Sequence, residues 1–173
     1  MKAFTLVETL VAISIVVIAL MGPFQVVQQG LLASYAARDQ LIATALAEEG
    51  VEYVRGLRDA NYLYNIANPN SPRSWMFGMN GTNGPDCFVA GCVVDPTQGT
   101  IAVFASSTAP LKLSTTNVYT QANPSGAVAT RFTRKVEFLT ASATEVKVTV
   151  TVSWRTNNVP LTVRVTNTLH DWL

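Results

Sequence analysis

Few residues in this chain are placed to do chemistry, and the most conspicuous is an acid. Glu8 is the only charge in FTLVETLVAISIVVIALMGPF, the 21 residues from Phe4 to Phe24. A carboxylate at the middle of a membrane helix costs about 2.5–3.5 kcal/mol. Glu8 would lie one turn inside, where the cost is smaller but real, so it needs a cation. Lys2 is the only basic residue within helical reach, and it precedes the run. The partner of Glu8 is therefore expected on another molecule.

The second chemical pair is Cys87 and Cys92, in DCFVAGCVVD, with four residues between them. Zinc would need two such pairs or a nearby histidine, and the only histidine, His170, is far along the chain. A short-loop disulfide or two free thiols remain, and an exported chain favours the disulfide. Its role would be to hold a local turn, because so short a loop removes little chain entropy. Asp86, Asp95 and Asp171 are scattered without a D-x-D run, so no calcium loop is expected. GMNGTNGPD lacks the Lys-Ser/Thr of a phosphate loop and reads as turns. TRFTRK, at 130–135, carries three basic residues and one Phe, and reads as the solvated face of a strand. With one histidine and no nucleophile motif, no catalytic residues, metal or cofactor are expected, and the chain reads as not an enzyme.

These residues need elements to position them. At 173 residues the chain fits one domain with an appended segment. Its net charge is +1 and only 13% of residues are charged, so it has neither a basic footprint for nucleic acid nor an acidic tail. As a helix, Phe4–Phe24 spans ~30 Å, the thickness of bilayer hydrocarbon. No positive residue follows Lys2 until Arg38, which keeps the N-terminus cytoplasmic and exports the rest. A signal peptide would have a shorter apolar stretch and a small-x-small cleavage site. A plain single-pass anchor is the other simple reading. Neither accounts for Glu8. Gly22-Pro23 predicts a helix kink near the end of the run.

FTLVETLVAISIVVIALMG resembles the N-terminal cleavage and methylation segment of type IV pilins and pseudopilins. In that family a short basic leader precedes a Phe, a Glu follows four residues later, and an unbroken apolar run continues. The resemblance covers about the first 25 residues. It implies a leader of residues 1–3, MKA, with prepilin peptidase cleaving between Ala3 and Phe4 and methylating the new Phe4 amine. It implies that Glu8 attracts the Phe4 amine of a neighbouring subunit, two charges neutralising each other where either alone would be expensive. Ala3 stands where the family usually has Gly, and Thr9 where it usually has an aliphatic residue. Implied partners are other subunits in a helical filament, the peptidase/methyltransferase, the pilus assembly machinery and the membrane.

Beyond the transmembrane or filament-core helix at 4–24, helical periodicity continues over 25–64. Leu32, Tyr35, Ile42, Leu46, Tyr53 and Leu57 form one apolar stripe, and the charges from Glu48 to Arg58 read as a solvated face. Residues 65–173 read as a loop region followed by strands. EVKVTVTVSWR alternates strictly, and with TRFTRKVEFL and PLTVRVTNTL it predicts a three-stranded antiparallel meander with turns at 141–144 and 156–159. Shorter strands are expected in CFVAGCVVD, TIAVFAS and NVYTQA. Trp75, Met76 and Phe77 would pin the loop, and Trp172 would pack. The expected fold class is α+β, a long helix on an antiparallel sheet, as the resemblance also implies.

Two functions follow. One is a structural subunit of a type IV pilus or a type II secretion pseudopilus, first single-pass in the cytoplasmic membrane, then in an extracellular or periplasmic filament. The other is a membrane-tethered exported ligand-binding domain that does not polymerise.

Overall fold

The computed structural model describes residues 5–105 and 110–171. The fold is α+β. A single helix, α1 (Leu6–Ala67, 62 residues), is followed by seven strands. These are β1 (Cys92–Asp95), β2 (Thr100–Val103), β3 (Pro110–Leu113), β4 (Tyr119–Thr120), β5 (Val128–Ser142), β6 (Glu145–Thr156) and β7 (Val159–His170). Contacts divide the chain into two units, one up to Asp39 and one from Gln40 onward.

In the first unit the helix starts at a cap. The Glu8 amide donates to Thr5 Oγ1 at 3.3 Å, satisfying one of the orphan donors of the first turn. The hydroxyls of Thr9 and Ser14 donate back to the carbonyls of Leu6 (2.9 Å) and Leu10 (2.5 Å), so neither is left bare among apolar side chains. The helical assignment runs unbroken through Gly22 and Pro23.

In the second unit α1 lies on the sheet. Its buried face is Ala43, Leu46, Ala47, Gly50, Val51, Val54 and Asn61. This corrects the expected stripe. Leu46 belongs to it, but Ile42, Tyr53 and Leu57 flank it, and Leu32 and Tyr35 are exposed. The reason is size: Ala and Gly let the helix backbone approach the sheet, so the centre of the contact falls on small residues. Gly50 marks the closest point, where an added Cβ would sit 3.0 Å from Val150 Cγ1. The helix ends at Ala67, where Asn68 donates both its amide and its Nδ2 to the Tyr64 carbonyl at 2.9 Å and Pro69 prevents continuation.

All strand pairings are antiparallel. The order β2-β1-β5-β3-β4 forms one path, and β6 pairs with β5 and then with β7. The meander β5-β6-β7 stands as the alternation predicts: Phe132, Val136 and Phe138 of β5 and Val146, Val148, Val150, Val152 and Trp154 of β6 are buried. The β6–β7 turn is Asn157-Asn158, both at positive φ (48° and 66°), the geometry of a two-residue hairpin that Asn tolerates. β7 is less covered than its alternation implies; Val163 and Val165 are half-buried and only Leu169 is fully so. The early strands differ more. CFVAG is loop, with strand beginning at Cys92, and PLKL forms β3, which the sequence reading passed over. The loop after α1 is pinned by Asn61 Nδ2, which donates to the carbonyls of Trp75 (2.9 Å) and Phe77 (3.0 Å). Met76 and Met79 fill the space beneath.

Candidate functional site

The first candidate site is the N-terminal unit itself. Leu6, Val7, Leu10, Val11, Ile13 and Ile15 are each more than half exposed, and no residue of the most apolar window of α1, mean hydropathy 2.5, is buried. A core helix of a water-soluble protein would bury one face. This stretch is long and apolar enough to cross a membrane, as a span or as a signal segment. Exposed apolar surface on this scale marks a lipid or protein contact.

Glu8 sits on this exposed helix. Among the described residues its carboxylate has no hydrogen-bond or ion-pair partner. The sequence reading missed a second role for it. Thr5 and Glu8 occupy the first and last places of a T-x-x-E capping box, and an acid in the first turn also complements the helix dipole, worth about 0.3–1 kcal/mol. A capping acid is cheap in water. In hydrocarbon its charge still requires a cation. Ala3 and Phe4, the expected cleavage and methylation positions, lie outside the described residues, as does Trp172. Gly22 and Pro23 lie within α1, and no side chain in the described structure touches the space where a Cβ on Gly22 would stand.

The second unit holds the cysteines. Cys87 and Cys92 form a disulfide with Cα atoms 5.1 Å apart, both buried. The loop it closes turns at Gly91, φ 73°, where a Cβ would meet Lys135 Cε at 2.7 Å. Cys92 opens β1 opposite Val136, and the Phe88 ring packs against Phe138 with centroids 5.4 Å apart. The bridge thus fastens a loop to β1, as its short span predicts. A formed disulfide fits an oxidising, extracytoplasmic compartment.

Two polar networks went unnoticed in the sequence reading. Arg134, wholly buried, donates from Nη1 to Glu49 Oε2 (2.5 Å) and the Leu46 carbonyl (3.0 Å), and from Nη2 to the Val94 carbonyl (2.7 Å). The solvated face expected for TRFTRK therefore applies to Arg131 but not to Arg134, and Glu49, its side chain 38% exposed, pairs with Arg134 from the edge of the solvated helix face. The signal was available: Arg134 shares the even positions of β5 with Phe132, Val136 and Phe138.

Asp95, also buried, is surrounded by donors. Its Oδ1 accepts from the amide (3.1 Å) and hydroxyl (2.7 Å) of Thr97. Its Oδ2 accepts from the Thr120 hydroxyl (2.5 Å) and the amides of Gln121 (2.8 Å) and Ala122 (3.1 Å). Burial pushes the carboxyl pKa up, but these hydrogen bonds outweigh it and hold the pKa below the usual value. The Tyr53 hydroxyl is pushed up by burial and by the Asp95 charge. With its lone pairs spent on five donors, Asp95 fixes the β1–β2 turn and the segment after β4. Among the described residues no cluster of ligating side chains fits a metal.

Comparison with known proteins returns nothing: no protein-family model, no curated protein and no solved structure matches the chain. What stands is the architecture. A long helix, apolar and uncovered over its first turns and packed on an antiparallel sheet over its last, is pilin-like.

Proposed function

We propose that this chain is a structural subunit of a type IV pilus or a related secretion pseudopilus, processed before Phe4 and assembled through its N-terminal helix. One observation carries the reading: Glu8, a carboxylate without a partner among the described residues, stands on the N-terminal stretch of α1, whose most apolar window has no buried residue. A bilayer covers the apolar surface but leaves the charge unanswered. A bundle of identical helices covers the surface, and a neighbour's Phe4 amine answers the charge. The pilin-like architecture and the disulfide in the sheet unit support the same reading.

The test is made in cells carrying a prepilin peptidase and an assembly platform. The mature subunit in sheared filaments is expected to begin at Phe4 and to weigh one methyl group more than the unmodified chain. Glu8→Leu is expected to leave membrane insertion intact and to remove the subunit from filaments. Normal incorporation of Glu8→Leu would sink the pairing. A chain that inserts, keeps Met1 and never appears in filaments would make the protein a tethered binding domain.

A further inference from the structure

The charges of this chain are nearly balanced in number but not in place. The outer face of the β5-β6-β7 meander carries Arg131, Lys135, Lys147, Arg155 and Arg164 against Glu137 and Glu145, five cations to two acids, leaving it at +3. Lys135 is engaged with Glu137 at 2.7 Å and with the Phe104 ring at 5.3 Å, and Arg131 is also engaged within the chain. Among the described residues Lys147, Arg155 and Arg164 have no acidic or hydrogen-bonding partner. The register sets hydroxyls among them. Thr133, Ser153 and Thr162 form one row across the three strands. At the end of this face a shallow groove of about 440 Å³ is lined by Arg131, Thr133, Ser153, Arg155 and Pro160, with Trp154.

We propose that this face binds an acidic polysaccharide, a glycan chain carrying carboxylates. Guanidinium groups offer planar paired donors that match a carboxylate. A row of hydroxyls, each both donor and acceptor, matches sugar hydroxyls. Strands lie about 4.8 Å apart and alternate outward residues recur about every 6.8 Å, so the face is a repeating lattice suited to an extended repeating ligand. The same features argue against nucleic acid. Single strands are held by stacking on open aromatic faces, and the rings beside this face are Trp154, 6% exposed, and Phe104, which lies against Lys135 Nζ at 5.3 Å. The inference does not rest on polymerisation.

The test uses the full chain in detergent micelles and a fluorescent oligogalacturonate, with affinity read by anisotropy over a range of salt. Saturable binding that weakens as salt rises is expected. Arg131→Gln/Arg155→Gln is expected to lose at least about tenfold, and Arg164→Gln alone severalfold. Arg55→Gln/Lys112→Gln, which removes as much charge elsewhere, is expected to bind as the parent does. An unchanged thermal midpoint in each variant shows that the fold is kept. Three results would each overturn the proposal: parental affinity in both the Arg131→Gln/Arg155→Gln and the Arg164→Gln variants, an equal loss in the Arg55→Gln/Lys112→Gln control, or binding to duplex DNA as tight as to the glycan.

Discussion

Gly50 of α1 and Val150 of β6 mark the closest approach of helix and sheet: a Cβ built on the glycine would lie 3.0 Å from Val150 Cγ1 and 3.3 Å from Arg134 Cδ. A methyl there must displace its neighbours, and anything larger must move the helix. At Gly56, two turns on and exposed, a Cβ meets nothing within 4 Å.

The two glycines should therefore respond in opposite ways. Gly56→Ala is expected to stabilise the fold by up to about 1 kcal/mol, because alanine loses less backbone freedom in a helix. Gly50→Leu is expected to cost about 1–3 kcal/mol or more through overpacking. Urea unfolding of both variants checks the contrast; equal midpoints would show that the helix does not press on Val150.

The contact between Arg134 and Glu49 gives a second, asymmetric expectation. Arg134→Ala removes a buried side chain and leaves Glu49 and the carbonyls of Leu46 and Val94 without their donor. A loss of about 3–5 kcal/mol is expected. Glu49 is 38% exposed and Glu49→Gln keeps an acceptor, but it leaves the buried Arg134 cation without its counter-charge, so about 1–3 kcal/mol is expected. Denaturant midpoints of the two single variants measure the ratio.

Asp95 sets an acid limit. Its folded-state pKa lies below the unfolded value of about 3.9, so the unfolded chain takes up a proton first as pH falls. The stabilisation is fully present above about pH 4 and is lost as pH drops through the lower, folded-state pKa. Thermal midpoints between pH 7 and pH 2 should fall at the acid end for the parent. Asp95→Asn should start lower, by about 1–3 kcal/mol, because an amide oxygen cannot replace two acceptor atoms. Its midpoint should also fall less steeply over the acid range. Parallel curves would remove Asp95 from the acid response.

The parts legible in the sequence were those governed by a single period. Alternation from Val146 to Trp154 gave the buried face of β6, and the apolar run gave the exposed first half of α1. The misreadings have one physical source each. The helix stripe was weighted toward large side chains, whereas close packing places Ala43, Ala47 and Gly50 at its centre. The charge of Arg134 suggests a solvated position, although its place in the alternation turns it inward. β3 was overlooked because Pro110 opens it and its four residues are too few to show a period. The Asp95 network joins residues about 25 apart through a turn and a two-residue strand, and no local pattern records it.

Arg134 also changes what the second unit is as a mechanical object. Apolar contacts have no direction, and a helix held by them alone can slide along a sheet. Arg134 projects from β5 and grips atoms fixed on α1 and β1, with bonds at set angles. It acts as a pin through three elements. A pull along the axis of α1 is resisted at this pin as well as by the apolar contact around it, and the load passes into β5, at 15 residues the longest of the described strands.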